Sequence, residues 1–228
     1  MITLYIGNRN YSSWSLRGWL AVKLSGEPFE EVMVPLVGRY NAANRAFSPT
    51  ARVPCLHDDG MVVWDSLAMA EYLAERHPAM WPVDRAPRAF ARCACAEMHS
   101  GFRALRDEMT MCIRERLDVR PWSADLAADI ERVVELWNEA RQRFGGGGAY
   151  LCGEFSLMDA FFAPVAYRFR TYQVAPAGAA SAYLQAVLAH PFLREWEQGA
   201  LAETVVVEAD EPRVLYRDKL AATQGQHS

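Results

Sequence analysis

The first part of the chain alternates between strand-like and helix-like segments, and this order constrains the fold more than any other feature. Residues 2–6 form an apolar run rich in β-branched side chains, which predicts a buried strand. The next apolar residues recur with the spacing of one helix face: Leu16, Trp19, Leu20 and Leu24. Residues 29–34 predict a second strand. A strand–helix–strand unit of this kind pairs its strands in parallel through a right-handed crossover.

A hairpin and a helix follow this unit. Residues 52–57 and 61–64 are short apolar runs on either side of an Asp-Asp-Gly turn, which predicts a β-hairpin. Pro54 opens the first of these strands, and the sequence leaves open whether its peptide bond is cis. Residues 67–77 have a helical pattern, whereas residues 35–51 are predicted as a long loop. The first part of the chain is therefore predicted to have the order βαβ–ββα.

Beyond this helix the strand pattern gives way to helical periodicity. Helices are predicted over residues 88–117, 123–144, 160–167, 181–189 and 191–198. The capping-box sequence Ser156-Leu-Met-Asp159 begins the third of these, which is apolar all round and is therefore expected at a buried centre. Pro164 is expected to kink that helix or to lie in its first turns. Prolines in residues 81–87 indicate a linker, so we predict an α/β domain at residues 1–80 and an all-α domain at residues 88–228.

Composition argues against several classes of function. The chain has 51% hydrophobic and 23% charged residues, which is typical of a globular protein. Its net charge of −4 and the lack of a basic stripe argue against a nucleic-acid partner, and no apolar run is long enough to span a membrane. No secretory signal is visible, so we expect a cytoplasmic protein. The five cysteines are unevenly spaced, and Cys93 and Cys95 lack a second pair, which predicts free thiols and no metal site.

The segment Asn10-Tyr-Ser-Ser-Trp-Ser-Leu-Arg17 lies where the first predicted strand ends and the first helix begins. Such a junction presents free backbone N–H groups and the positive end of the helix dipole, which stabilise an anion such as a thiolate. Ser and Asn are also preferred helix caps, so capping by itself would explain these residues. Taken alone, the segment favours the capping interpretation.

Four segments together resemble the cytosolic glutathione S-transferase superfamily. Residues 11–17 are similar to the Ser-Ser-Cys-x-x-Arg signature of the zeta class, with Trp14 in the position of the cysteine. Residues 52–56 resemble the family's Val-Pro-x-Leu segment with its cis-proline. Asp65 and Ser66 resemble the pair that binds the γ-glutamyl end of glutathione, with Asp65 in place of glutamine. The capping box matches that of the family's central helix. The resemblance implies a serine-type, bacterial zeta-like member with a thioredoxin-like N-terminal domain and an all-α C-terminal domain.

The resemblance also implies how the chain would bind and activate glutathione as its cosubstrate. Ser12 is expected to donate a hydrogen bond to the glutathione sulfur and so favour the thiolate, with Ser13 as the alternative. The main chain of Val53, turned outward by Pro54, is expected to pair with the cysteinyl backbone of glutathione. The remaining expected contacts are Asp65 to the ammonium group, Ser66 to the γ-glutamyl carboxylate, and Arg52 or Arg39 to the glycyl carboxylate. Each of these residues would also be explained by capping or by an ordinary surface position.

The second substrate is expected between the two domains. The candidate residues are His99, Phe102, Arg103, Arg106, Arg168 and Tyr172, although each would also suit a core or surface position. Two arginines near such a cleft would suit an anionic electrophile. The resemblance implies a transferase that attacks small electrophiles, and homodimers are usual in the family. Two alternatives stay open: a zeta-like cis–trans isomerase of the maleylacetoacetate type that uses glutathione, and a non-catalytic member that binds glutathione or another ligand.

Overall fold

A four-stranded mixed sheet forms the centre of the N-terminal part. The computed structural model describes residues 1–36 and 41–218. The strands are β1 (Ile2–Ile6), β2 (Phe29–Met33), β3 (Cys55–Asp58) and β4 (Met61–Trp64), in the spatial order β2-β1-β3-β4. β1 and β2 are parallel, whereas β3 is antiparallel to both β1 and β4. With helices α1 (Ser13–Ser25) and α2 (Ser66–Arg76), this confirms the predicted βαβ–ββα order.

Helix α1 is buried along most of its length and packs against β1, α2 and a helix of the C-terminal part, α6 (Leu157–Thr171). Gly18 allows α1 to approach the start of β3 closely. A Cβ atom at this position would lie 2.8 Å from Pro54 Cγ and 3.1 Å from Met69 Cε, so a larger residue would force the elements apart. The first turn of α1 and the Pro54 segment are therefore held side by side.

The C-terminal part is helical, as predicted. Its helices are α3 (Arg85–Ser100), α4 (Arg103–Glu108), α5 (Ala124–Phe144), α6, α7 (Ala179–Leu188), α8 (Pro191–Ala202) and α9 (Pro212–Leu215). Helices α5 to α8 correspond to the last four helices predicted from periodicity. In the part of the chain that the structure describes, no helix is both long and apolar enough to cross a membrane.

The prediction of one helix over residues 88–117 is wrong. α3 ends at Ser100, and Phe102 takes the left-handed backbone conformation with φ 57°. Only the short helix α4 follows, and residues 109–122 contain no helix. Apolar periodicity continued past the break and concealed it. α3 begins at Arg85, inside the segment predicted as a linker, and the limits of the two domains stay a prediction.

Helix α6 is the buried centre of the C-terminal part, as its apolar sequence predicts. Its capping box is present: the Asp159 carboxylate accepts a hydrogen bond from Ser156 N at 2.9 Å. The same carboxylate accepts a further hydrogen bond from Leu151 N at 3.0 Å. Burial raises the pKa of Asp159 to about 6, although these hydrogen bonds partly oppose the shift. Pro164 lies beyond the first turns, and the helix continues through it to Thr171.

We expect Asp159→Ala to lower the free energy of unfolding by about 2–4 kcal/mol, because it leaves two buried N–H groups without an acceptor. Ser123→Ala is a matched control, since Ser123 caps the more exposed start of α5 through Leu126 N. Loss of the Ser123 cap should lower the free energy of unfolding by about 1 kcal/mol. Urea denaturation measures both values, and equal losses would show that burial of the Asp159 cap adds no stability.

Candidate active site

Two cavities lie at the N-terminal ends of helices α1 and α2. The α1 cavity has a volume of about 410 Å³ and the α2 cavity about 390 Å³. Both are lined by Trp14, Arg52 and Val53. The α1 cavity is also lined by Ser12, Ser13, Arg106 and Arg168, and the α2 cavity by Pro54, Asp65 and Ser66. The structure thus brings together most of the residues that the sequence predicted for a functional site.

Ser12 and Ser13 begin helix α1, and each is only 7% exposed. Ser12 caps the helix: its Oγ accepts a hydrogen bond from Ser15 N at 3.3 Å, and its hydroxyl donates to Ser15 Oγ at 2.7 Å. Ser15 Oγ also accepts from Gly7 N at 2.9 Å. Ser13 Oγ accepts from Arg168 Nη2 at 3.4 Å, and its own proton has no acceptor among the described residues. The Ser12 hydroxyl must therefore turn away from Ser15 to reach a ligand, whereas the Ser13 hydroxyl need not break a bond.

Two guanidinium groups line the α1 cavity beside these serines. Buried Arg168 donates hydrogen bonds to the carbonyl oxygens of Met109 at 2.5 Å and Pro164 at 3.2 Å. Burial and the nearby charge of Arg106 lower the pKa of Arg168 to about 10, which leaves it protonated near neutral pH. Arg106 donates to carbonyl oxygens at the end of α3, and burial lowers its pKa as well. Within residues 1–36 and 41–218, neither arginine forms an ion pair with a carboxylate.

The α2 cavity contains the N-terminus of helix α2. The Asp65 carboxylate accepts from Leu67 N at 2.8 Å and pairs with His99 Nε2 at 3.2 Å. Burial by itself would raise the pKa of Asp65, but the hydrogen bonds from His99 and Leu67 outweigh the effect of burial. The pKa of Asp65 therefore lies below its usual value. Ser66 Oγ is buried and has no hydrogen-bond partner among the described residues. A buried hydroxyl without a partner calls for an explanation, and a polar ligand in this cavity would supply one.

Val53 lines both cavities. Its N–H and C=O form no hydrogen bond with any residue in the described ranges. The Val53–Pro54 peptide bond is cis, which answers the question that the sequence left open. Arg52 is exposed and lines both cavities. Arg39, the other residue predicted for the glycyl carboxylate, lies outside the described residues.

Four of the predicted substrate contacts lie outside both cavities: His99, Phe102, Arg103 and Tyr172. Phe102 is packed in the core at 7% exposure. The Arg103 side chain is 93% exposed and pairs with Asp107 at 3.3 Å. Tyr172 is fully buried, and its hydroxyl donates to the Thr110 carbonyl oxygen at 3.1 Å. Phe102 and Arg103 were predicted to lie in the helix over residues 88–117, but that helix ends at Ser100. His99 also lines neither cavity, but it contacts both Asp65 and Trp14.

Several lining residues were missed by the sequence analysis. They are Tyr11, Leu36, Asn41, Asn44, Asp107, Thr110, Met111 and Asp210 for the α1 cavity, and Thr50 and Trp64 for the α2 cavity. The two asparagines lie in the predicted long loop, and polar residues in such a loop are a signal that could have found them. Thr110 and Met111 lie in the non-helical segment after α4, where the sequence predicted a helix, and Asp210 lies near the C-terminal end. Nothing in the local sequence marks these three.

None of the five cysteines lines either cavity. All are free, as predicted. Burial raises the pKa of Cys112 to about 11, so this thiol stays protonated near neutral pH. In the described ranges, no group of three or more His, Cys, Asp or Glu side chains is placed to hold a metal ion.

A glutamate from the C-terminal segment holds the turn that leads into Ser12. Glu203 Oε1 accepts a hydrogen bond from Arg9 N at 2.6 Å, and Oε2 accepts from Asn10 N at 3.2 Å. Arg9 and Asn10 lie between β1 and α1, where the backbone must turn sharply. Hydrogen bonds from backbone N–H to a carboxylate are among the stronger ones in proteins. Glu203 therefore positions the start of α1 from a point far away in sequence.

Tyr11 is held in the same way by a second C-terminal carboxylate. Its hydroxyl donates to Glu211 Oε2 at 2.8 Å and accepts from Arg114 Nη2 at 3.0 Å. Burial and the bond to Glu211 raise the pKa of Tyr11 to about 12, although Arg114 opposes this. Tyr11 therefore keeps its proton near neutral pH.

Comparison with known families shows which family the chain belongs to. The family model for the glutathione S-transferase N-terminal domain matches residues 11–76, and the model for the C-terminal domain matches residues 120–199. This chain belongs to the glutathione S-transferase family. Maleylacetoacetate isomerases and glutathione S-transferases among its homologues are glutathione-dependent enzymes, and the thioredoxin-like architecture of the family is the one described above.

Individual glutathione S-transferase relatives agree with this assignment. A probable maleylacetoacetate isomerase from Caenorhabditis elegans is 34% identical over 107 residues, which are 46% of this chain and only about half, 49%, of that relative. The maleylacetoacetate isomerase of Rattus norvegicus is 27% identical over 168 residues, 71% of this chain and 74% of the relative. A glutathione transferase homologue from Burkholderia, crystallised with bound glutathione, is 26% identical with a TM-score of 0.65, covering 88% of this chain and 98% of that chain.

We expect Glu203→Ala to lower the free energy of unfolding of this transferase by about 1–3 kcal/mol, because two backbone N–H groups lose their acceptor. Amide hydrogen exchange at Arg9 and Asn10 should become faster in the variant. Glu208→Ala is the matched control, since Glu208 is an exposed carboxylate in the same C-terminal segment. Unchanged exchange at both amides in Glu203→Ala would contradict the positioning role.

Proposed function

We propose that this chain binds glutathione across the two cavities and directs its thiolate at a small electrophile that carries a carboxylate. One observation carries the proposal: Arg106 and Arg168 line the same cavity as Ser12 and Ser13, and neither arginine forms an ion pair with a carboxylate in the part of the chain that the structure describes, although Asp107 and Asp210 line the cavity too. Cationic groups beside an anion-stabilising helix start would attract and orient an anionic substrate.

The unpaired groups around the cavities support the binding of glutathione. The free N–H and C=O of Val53 would pair with the cysteinyl backbone as an added strand does. Asp65 would pair with the ammonium group of the γ-glutamyl end, and the orphan hydroxyl of Ser66 would donate to its carboxylate at the N-terminus of α2. Arg52 would meet the glycyl carboxylate, with Arg39 as the alternative.

The serines would favour the thiolate form of glutathione. When the thiol releases its proton to solvent, the Ser12 hydroxyl would donate a hydrogen bond to the sulfur, with Ser13 as the second candidate. The backbone N–H of Trp14 has no acceptor among the described residues and would add a second donor at the same helix start. Because the position of Ser12 does not hold a cysteine, chemistry through a mixed disulfide is expected to be poor.

The thiolate would then attack the electrophile in one of two ways. In substitution, the sulfur–carbon bond forms and the leaving group departs with its electron pair. In addition, the sulfur–carbon bond forms and a proton joins the neighbouring carbon. The relatives named maleylacetoacetate isomerase favour a second candidate function. In it, the thiolate adds to a cis-enoyl diacid, the former double bond rotates, and elimination of glutathione gives the trans isomer of the diacid. A member that binds glutathione without catalysis is the remaining alternative. That the chain forms a homodimer and that it is located in the cytoplasm both stay predictions.

The thiolate proposal predicts that bound glutathione has a pKa well below that of a free thiol, which is about 8.5. Ultraviolet absorbance of the thiolate against pH measures this value. Ser12→Ala should return it towards the solution value, whereas Ser12→Thr, which keeps a hydroxyl, should retain most of the shift. Ser13→Ala is measured in parallel, and a larger loss there would transfer the role to Ser13. Glutathione that binds wild type without any shift would favour the non-catalytic alternative.

The charge of the α1 cavity predicts a preference between two matched electrophiles. Chlorodinitrobenzoate carries a carboxylate, whereas chlorodinitrobenzene does not, and both lose chloride when the thiolate attacks the ring. We expect kcat/KM to favour the benzoate, and Arg106→Gln to reduce this preference by roughly five- to thirtyfold. Assay of a cis-enoyl diacid under the same conditions distinguishes isomerase from transferase. An equal or lower value for the benzoate in wild type would reject the anionic substrate class.

A further inference from the structure

Trp14 occupies a position that connects the two cavities. It lies in the first turn of α1, it is partly buried, and it lines both the α1 and the α2 cavity. Ser12 and Ser13 precede it directly in sequence. In the zeta-class signature that the chain resembles, this position holds a cysteine, so the large aromatic ring distinguishes this chain.

The Trp14 ring contacts two guanidinium groups. The central guanidinium carbon of Arg17 lies 4.7 Å from the ring centroid, and that of Arg106 lies 4.8 Å from it. A cation at such a distance over an indole is attracted by the negative face of the ring, and the attraction grows when the groups are shielded from water. His99 meets the same ring edge-on, with centroids 5.2 Å apart.

Arg17 is an unusual neighbour because it is fully buried. None of its three guanidinium nitrogens has a hydrogen-bond partner among the described residues, and its other aromatic contact is Phe161 at 5.4 Å. Burial, followed by the charges of Arg106 and Arg168, holds the pKa of Arg17 well below its usual range. Arg17 and Arg106 therefore repel each other, and the Trp14 ring contacts and attracts both.

Arg106 is fixed on one side and open on the other. Its Nε donates to Gly101 O at 3.1 Å, and its Nη2 donates to the carbonyl oxygens of Met98 and His99. Nη1 has no hydrogen bond within the described ranges. These carbonyl bonds fix one edge of the guanidinium at the end of α3, and the Trp14 ring supports its face. Together they hold a charge at the wall of the α1 cavity.

We propose that Trp14 is a specificity-determining residue that positions Arg106 in the α1 cavity and so selects electrophiles that carry a carboxylate. This inference rests on the proposed function, because it concerns the substrate class of the same site. Trp14 acts through Arg106 and is therefore a positioning residue. A smaller, non-aromatic side chain would leave Arg106 without its support against the charge of Arg17.

The test compares Trp14→Leu, which removes the aromatic face, with Trp14→Phe, which keeps one. The measured quantity is the ratio of kcat/KM for chlorodinitrobenzoate to that for chlorodinitrobenzene at saturating glutathione. We expect this ratio to fall by roughly five- to thirtyfold in Trp14→Leu and to stay within about threefold of wild type in Trp14→Phe. Trp122→Leu, a tryptophan outside both cavities, is the matched control and should keep the wild-type ratio.

A binding measurement gives a readout that does not need turnover. Titration calorimetry with the two product conjugates, one with and one without the carboxylate, should show the same selective loss for the anionic conjugate in Trp14→Leu. Trp14→Met replaces Trp14→Leu if the latter does not fold. An unchanged ratio in the non-aromatic variant, or an equal fall in Trp14→Phe, would overturn the role of the ring.

The outcomes also separate this inference from the proposed function. Failure of wild type to bind glutathione, or to shift its thiol pKa, would reject the proposed function itself. If wild type prefers the benzoate and Arg106→Gln removes that preference while Trp14→Leu does not, the anionic substrate class stands and only the role of Trp14 is rejected.

Discussion

The site depends on how helix α1 begins. The first turn of this helix is buried against the sheet and against α6, so its polar groups cannot rely on water. Ser12, Ser15 and Gly7 satisfy one another there, and Glu203 holds the turn before them. Gly18 lets the same helix lie against Pro54, which brings Val53 beside the serines. Both cavities therefore follow from the position of one helix start.

Positive charge near this helix start is a second constraint. After burial, the charges of Arg106 and Arg168 lower the pKa of Arg17, and the charge of Arg106 lowers the pKa of Arg168. No carboxylate forms an ion pair with any of the three in the described ranges. Carbonyl oxygens and aromatic rings take the place of counterions. Carbonyl groups and ring faces stabilise a guanidinium without cancelling its charge. The carboxylates of Asp107 and Asp210 also line the α1 cavity, but neither forms an ion pair with Arg106 or Arg168 in the described ranges.

Much of this arrangement was predictable from the sequence. The order of the strands, α1 and α2, and the central helix with its capping box appear in local patterns that have a direct physical cause. The candidate roles of Ser12, Val53, Asp65 and Ser66 came from the resemblance to the family, and the structure places these residues at the two cavities. The prediction failed after Ser100, because apolar spacing continues through a backbone break that Phe102 makes in the left-handed conformation. Of the candidate substrate contacts that follow this break, Phe102 is packed in the core and Arg103 is exposed.

The sequence by itself determined the class of fold and the place where helix α1 begins, because strands, helix caps and turns depend on residues close together in the chain. Only the tertiary structure decided which distant residues complete the site. Glu203 and Asp210 reach it from the C-terminal segment, and Arg106 meets the Trp14 ring from another helix. These contacts depend on how helices pack, and packing joins positions that no local pattern relates.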